Sequence, residues 1–259
     1  MMPGSAALTA FLLAFFTVSV YGGQSTVPPV VDAVRMNRQV VVVIDAGHGG
    51  GEWGISVKGV QEKNITLELA KKLAEKLKGS GKNIKVVMTR IKDEFLTADV
   101  RAGTANAAKG DIFISIHCDY VPVQGAEGYR LYYMRAEAGQ VITQGGLKLW
   151  PEVQFAHAGK SARLAAVLSR YLKAALIAES GNGDENDLLS VPSRGEMSVN
   201  SNVLAGVDMP AVIFEAGNLN NTNDINALRD TKTLDQMAYH MKEGIINFII
   251  EQGLEAGRP

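Results

Sequence analysis

Val40-Val41-Val42-Val43-Ile44-Asp45-Ala46-Gly47-His48 decides how the rest of the chain is read. Five β-branched residues in a row show no alternation with polar ones. A strand with one wet face alternates; a strand buried on both faces does not, and such strands belong to parallel sheets covered by helices. The run then breaks into glycines, as a strand does when it leaves a sheet for a loop.

The alternation of strand and helix signals continues along the chain. Residues 64–78 carry Ile65, Leu69, Leu73 and Leu77 four apart, with Ala70 and Ala74 beside them, the stripe of an amphipathic helix. A second strand is expected over 84–89 and a third over 111–116. Between them Thr97 offers an N-cap for a helix running to about residue 108. Residues 129–134 read as a fourth strand and 135–160 as a glycine-bearing loop excursion. Leu164, Val167, Leu168, Tyr171, Leu172 and Ala175 mark another amphipathic helix. Residues 180–196 are polar and read as a surface loop, 210–214 as a fifth strand and 233–251 as a last helix. Alternating strands and helices predict one α/β domain over residues 39–251, a mostly parallel twisted sheet with helices on both faces.

The chain has 259 residues, with 26 Lys plus Arg against 27 Asp plus Glu, so it lacks the basic excess of a nucleic-acid binder. Its 46% hydrophobic content excludes a disordered acidic chain. Cys118 is the single cysteine, so an intrachain disulfide and a cysteine-based zinc site are both excluded. Any metal must be held by carboxylates and by His48, His117, His157 or His240. From Ala6 to Val20 nothing is charged, and Phe11-Leu12-Leu13-Ala14-Phe15-Phe16 is strongly apolar. That run is shorter than the roughly 20 residues of a membrane span and has the length of a signal-peptide apolar region. No Lys or Arg precedes it, and Gly22 and Gly23 supply small residues for cleavage. Residues 1–22 are therefore expected to be a signal peptide, 23–38 a linker containing Pro28 and Pro29, and 252–259 a C-terminal tail. The mature chain is expected to have no membrane span and to be exported, to the periplasm or the extracellular wall.

Three core strands run out into residues with chemistry. Val40–Ile44 leads to His48, residues 111–116 lead to His117, and Ala211–Phe214 leads to Glu215. Open α/β sheets bind ligands at the carboxyl ends of their strands. Two imidazoles, a carboxylate and water make a common catalytic zinc shell. At the level of spacing, the carboxylate is either Glu215 or a loop residue, of which Glu62 is the best candidate. Glu62 alone also reads as an acidic residue favoured by a helix N-terminus. His157, in a loop, and His240, on a helix surface, read as structural or solvated. Gly49-Gly50-Gly51-Glu52-Trp53-Gly54 matches a dinucleotide fingerprint, but no helix opens there, so the nucleotide reading fails.

These residues resemble a family. Val42-Val43-Ile44-Asp45-Ala46-Gly47-His48-Gly49-Gly50 followed by Glu62-Lys63-Asn64-Ile65-Thr66-Leu67 is similar to the opening of the zinc-dependent N-acetylmuramoyl-L-alanine amidases of bacterial cell division and sporulation. Met88-Thr89-Arg90, Arg101 with Ala105-Asn106, Ile114-Ser115-Ile116-His117, Gly125-Ala126-Glu127-Gly128-Tyr129 and Pro210-Ala211-Val212-Ile213-Phe214-Glu215-Ala216-Gly217-Asn218 continue it in order, over roughly residues 39–250. The resemblance implies one zinc ion held by His48, Glu62 and His117, and Glu215 as the catalytic glutamate. It implies peptidoglycan as substrate, cut between N-acetylmuramic acid and the L-alanine of the stem peptide. Arg194 is read either as a contact for a stem-peptide carboxylate or as a solvated loop charge.

Three departures stand out: Ala46 where proline is common, Cys118 where alanine is usual, and Asn218-Leu219 in place of a Gly-Phe pair. Cys118 neighbours a ligand, but strand alternation turns it to the opposite face, into the core. The excursion does not resemble the long autoinhibitory helical insertion of division-regulated members. Two other readings share the pattern: another zinc amide or peptide hydrolase, and an inactive wall-binding module of the same fold. The intact His48, Glu62, His117 and Glu215 speak against the second.

Overall fold

The computed structural model describes residues 39–135, 150–177 and 191–254. The expected signal peptide and linker, part of the expected excursion and part of the expected loop at 180–196 lie outside the described residues. So does most of the expected tail.

The elements run β1 (Val40–Ala46), β2 (Ser56–Val57), β3 (Val60–Gln61), α1 (Glu62–Lys78), β4 (Ile84–Met88), α2 (Ala98–Ala107), β5 (Ile112–Asp119), β6 (Tyr129–Tyr133), α3 (Trp150–Phe155), α4 (Ala158–Ile177), β7 (Ser193–Ser198), α5 (Asn202–Ala205), β8 (Ala211–Asn218), α6 (Thr222–Arg229) and α7 (Thr231–Glu251). The main sheet has six strands in the order β4-β1-β5-β8-β6-β7. All neighbours are parallel except β6 and β8, which are antiparallel. β1 lies between β4 and β5 and is buried at every residue, as its unbroken β-branched run requires.

Strand alternation sorts the core into two layers. Val40, Val42, Ile44, Ile112, Ile114, Ile116, Val212 and Phe214 pack with the apolar stripes of α1, α4 and α7. Val41, Val43, Phe113, Ala211 and Ile213 pack on the other face with Ala102 and Ala105 of α2 and Leu204 of α5. Cys118 joins the first layer. His117 and Glu215 share the parity of Phe113 and Ile213, and therefore belong to the second face.

Several boundaries differ from the sequence expectation. β5 and β8 do not stop at residues 116 and 214. His117 pairs with Glu215 and Asp119 with Asn218, so both strands carry polar residues inside the ladder, with an irregularity between His117 and Asp119. β7 lies where a polar loop was expected over 180–196. It is an edge strand, half wet and therefore polar. α3 and the first three residues of α4 fall inside the expected excursion. Pro151 and Gly159 look loop-like there, but Ser161 donates to Gln154 and accepts from the backbone of Ala211, which ties the two helices to β8. Thr97 stands at the N-cap of α2 without making a side-chain cap bond. α6 is short and polar; Asn221 caps it, accepting from the backbone of Asn223 and Asp224. Among the described residues no helix is long and apolar enough to cross a membrane.

Candidate metal centre and active site

The loop after β1 is held from below by two buried guanidiniums. Arg101 (5% exposed) pairs with the wholly buried Asp45 at 2.7 Å and donates to the carbonyls of Ala46 and His48. Asp45 also accepts from the hydroxyls of Thr89 and Ser115, each at 2.6 Å. Arg90 (1% exposed) donates to the carbonyls of Ala46, Gly47 and Lys63. Backbone oxygens that a glycine-rich turn leaves unpaired thus gain charged donors, the strong class of hydrogen bond. His48 itself sits at φ 60°, a left-handed conformation uncommon for a non-glycine residue, so the fixed carbonyls around it hold a costly turn.

Two glycines are there to let side chains meet. A Cβ on Gly47 would lie 2.4 Å from Cε1 of His117. A Cβ on Gly54 would lie 2.5 Å from Oε2 of Glu62 and 2.6 Å from Cδ2 of His48. Their bare backbones form a cradle around the three expected ligands.

Within it, Oε1 of Glu62 is 3.0 Å from Nε2 of His48 and 3.0 Å from Nδ1 of His117. The two imidazoles stand edge to face, with centroids 4.9 Å apart. One ligand atom from each of the three residues lies within 4.8 Å of the others, the group among the described residues able to hold a metal ion. Glu62 opens α1 and is 1% exposed; its carboxylate accepts from the backbone N–H of Ile55 and Cys118. Burial pushes its pKa up, but the hydrogen bonds and charges of His117 and His48 outweigh this and hold the carboxyl well below the usual carboxylate range. Burial lowers the His117 pKa, and Glu62 and Glu215 raise it further than that, so the net direction is up. An ionised carboxylate between two imidazole nitrogens is the donor set of three-ligand catalytic zinc sites, so these residues fit such an ion.

Glu215 stands outside the cluster, paired in register with His117 one strand away. Its Oε2 is buried without a hydrogen-bond partner. Burial is the main cause that pushes its pKa up to about 7, with His117 and Arg194 pulling down and Asp119 and Glu62 pushing up. Glu215, His48 and His117 share a cleft of about 490 Å³ with Phe95, Leu96 and Ile213. The carboxylate left open by spacing is therefore Glu62 in the cluster, with Glu215 beside it.

Arg194 lies on β7, not in a solvated loop. It pairs with Asp119 at 2.9 Å and donates to the carbonyl of Gly128 at 2.7 Å, while Nη2 is buried without a partner. It does not line the cleft. His157 pairs with Asp208 at 3.0 Å, and His240 packs against the Tyr239 ring; neither joins the cluster. Asn218, one of the departures, is buried and ties the turn after β5 to β8 through Val121 and Ala126. Sequence reasoning gave no role to Arg90 and Arg101, although both lie in the matching motifs. Arg90 acts through backbone carbonyls and Arg101 through carbonyls and the buried Asp45, contacts that spacing does not reveal.

A sequence profile of the N-acetylmuramoyl-L-alanine amidase family matches residues 42–247. The chain is similar to the endolysin of Bacillus phage SPP1, 29% identical over 210 residues that cover 81% of this chain and 66% of that protein. It is similar to the N-acetylmuramoyl-L-alanine amidase AmiC of Neisseria meningitidis serogroup B, 28% identical over 237 residues, 86% of this chain and 56% of that one. The match thus spans between about half and two thirds of these relatives' lengths. The crystal structure of an N-acetylmuramoyl-L-alanine amidase from Clostridium difficile 630 superposes with a TM-score of 0.66 at 26% identity, covering 82% of this chain and 98% of that one. The profile covers most of the chain and the superposed fold agrees with it, and the chain belongs to the N-acetylmuramoyl-L-alanine amidase family.

Proposed function

We propose that this chain is a zinc-dependent hydrolase of peptidoglycan that cuts the amide between the lactyl group of N-acetylmuramic acid and the L-alanine of the stem peptide. The observation that carries the reading is the cluster of His48, Glu62 and His117 with a separate carboxylate, Glu215, on the neighbouring strand, whose Oε2 is buried without a hydrogen-bond partner. One zinc ion bound there supplies Lewis-acid polarisation and lowers the pKa of water. His48, Glu62 and His117 hold it. Glu215, with its raised pKa, takes the proton from the attacking water and passes it to the departing alanine nitrogen. The carbonyl carbon gains an oxygen, the C–N bond breaks, and a lactyl carboxylate and a free amine leave. Arg194, whose side chain is taken up by Asp119 and the Gly128 carbonyl outside the cleft, serves in this reading to hold β7 against the ends of the neighbouring strands.

The apolar run from Ala6 to Val20 supports export with residues 1–22 as the signal peptide, and with it action in the periplasm or the extracellular wall. Residues 39–251 are the catalytic domain in this reading, preceded by a linker at 23–38 and followed by a tail at 252–259.

Digestion of purified sacculi, with and without a chelator, tests the reading by mass spectrometry of the products. The expected result is free stem peptide with an alanine amino terminus and bare glycan strand, both lost when metal is removed. Release of shorter peptides with the lactyl–alanine bond intact would make it a peptidase instead.

A further inference from the structure

The glycine-rich run that mimics a nucleotide loop has a different product. Gly49 and Glu52 close a two-residue turn through a pair of backbone hydrogen bonds, 2.9 and 3.0 Å. Gly49 and Gly50 have φ 135° and 58°, conformations that a side chain disfavours, so the turn needs them. The turn is anchored on its far side: Gly50 donates its N–H to Asp93 at 2.7 Å, and Lys63 donates to the Gly50 carbonyl at 2.8 Å and to Asp93 at 2.7 Å. The backbone of Glu52 is therefore fixed beside His48 by contacts outside the cluster.

From that position Oε1 of Glu52 lies 3.3 Å from Nδ1 of His48. Nδ1 is closed to solvent and has no hydrogen bond of good geometry. The other nitrogen, Nε2, is the one turned to Glu62. Glu52 lines the same cleft as His48, His117 and Glu215, with its side chain half exposed at the rim. A metal-binding imidazole must present a lone pair at one nitrogen and so carries its proton on the other. A carboxylate at the protonated nitrogen fixes the tautomer and the ring, and makes the imidazole a better donor.

We infer that Glu52 is a positioning residue for the metal centre: it holds the proton of His48 on Nδ1 and so presents Nε2 to the ion. This rests on the proposed metal centre and goes beyond it, because it assigns the turn at 49–52 a purpose in metal affinity. Glu52 acts through His48 and contacts no reacting atom. Trp53, exposed at the tip, shares no part in it.

The test is the zinc dissociation constant of the full chain, measured by competition with a chromogenic chelator, for the parent, Glu52→Ala, Glu52→Gln and His48→Ala. His48→Ala is expected to lose tight binding. Glu52→Ala is expected to weaken zinc about 10–100-fold, the usual effect of removing such a partner. Glu52→Gln keeps an acceptor oxygen without the charge and falls in between; it also answers for Glu52→Ala should that variant not fold. If His48→Ala loses zinc while both Glu52 variants stay within about twofold of the parent, the inference is overturned and the metal centre stands. It is overturned equally if Glu52→Ala raises only KM on sacculi, since that would make Glu52 a substrate contact. If His48→Ala binds zinc like the parent, the metal centre itself is wrong.

Discussion

On the face of the sheet covered by α1, α4 and α7, inward side chains are apolar almost to the strand ends: Val42, Ile44, Ile114, Ile116, Val212 and Phe214 meet Leu69, Leu73, Leu168, Met241 and Ile245. On the opposite face the same strands carry Asp45, Ser115, His117 and Glu215 beyond a smaller apolar patch. The first face follows from burial alone, at about 1.5–3 kcal/mol for each fully buried large side chain. The second buries charge, which is favourable only when each ion is paired and hydrogen-bonded. The difference locates the candidate site on the face where folding is costly: Arg101 holds Asp45 there, and Arg90 and Arg101 together hold the carbonyls of Ala46, Gly47 and His48, so that His48 can turn back over the strand ends.

The comparison breaks most visibly at Arg101. Arg101→Ala leaves Asp45 buried without its cation, and is expected to lower unfolding stability by about 3–5 kcal/mol and to weaken zinc at the same time. Chemical denaturation and chelator competition on one sample read both. Leu73→Ala on the apolar face is expected to cost about 2–5 kcal/mol with zinc affinity unchanged in the folded protein. If Leu73→Ala loses zinc as readily as Arg101→Ala, the two faces are not separable in the way described.

Gly47→Ala sharpens the contrast from the backbone. The added methyl meets the His117 ring, so the ring must move. A stability loss of about 1–3 kcal/mol is expected from overpacking, with a fall in zinc affinity that Gly103→Ala, where a Cβ meets nothing, does not share. Thermal melts with and without zinc give both numbers.

The mildest effect is in pH. A general base works ionised, so the rate should rise with pH until Glu215 has lost its proton. Burial is the main cause that raises that pKa from 4.5 to about 7, and a zinc ion held by the neighbouring cluster would pull it back down. The acidic limb of kcat/KM for stem-peptide release is expected between those two values and should be absent from the residual activity of Glu215→Gln. A limb at or below pH 4.5 would contradict burial as the dominant influence on the Glu215 proton.

The apolar face was legible because its signals are periodic. Four-residue spacing gave α1, and unbroken β-branching gave β1 with its burial on both sides. The ends of β5 and β8 were not legible, since His117 and Glu215 look like loop residues until the partner strand shows that they pair. β7 was missed for the same reason: an edge strand with one wet side has the composition of a loop. At the site, His48, His117 and Glu215 stand out because side-chain chemistry at strand ends is visible in sequence; Glu62 is only the best loop candidate by spacing, and the division into ligands and catalytic glutamate comes from the family resemblance. Glu52, Arg90 and Arg101 could not be given tasks, because they act on a second nitrogen or on backbone carbonyls brought close by turns far apart in the chain.

The division of labour between the two carboxylates is tested most directly by zinc content and stem-peptide release measured side by side on Glu62→Gln and Glu215→Gln. Glu215→Gln is expected to fold, keep its zinc and lose about 10²–10⁴-fold in rate, the range for one acid–base group, whereas Glu62→Gln is expected to lose zinc. Zinc lost from Glu215→Gln but retained, with activity, by Glu62→Gln would reverse the two assignments.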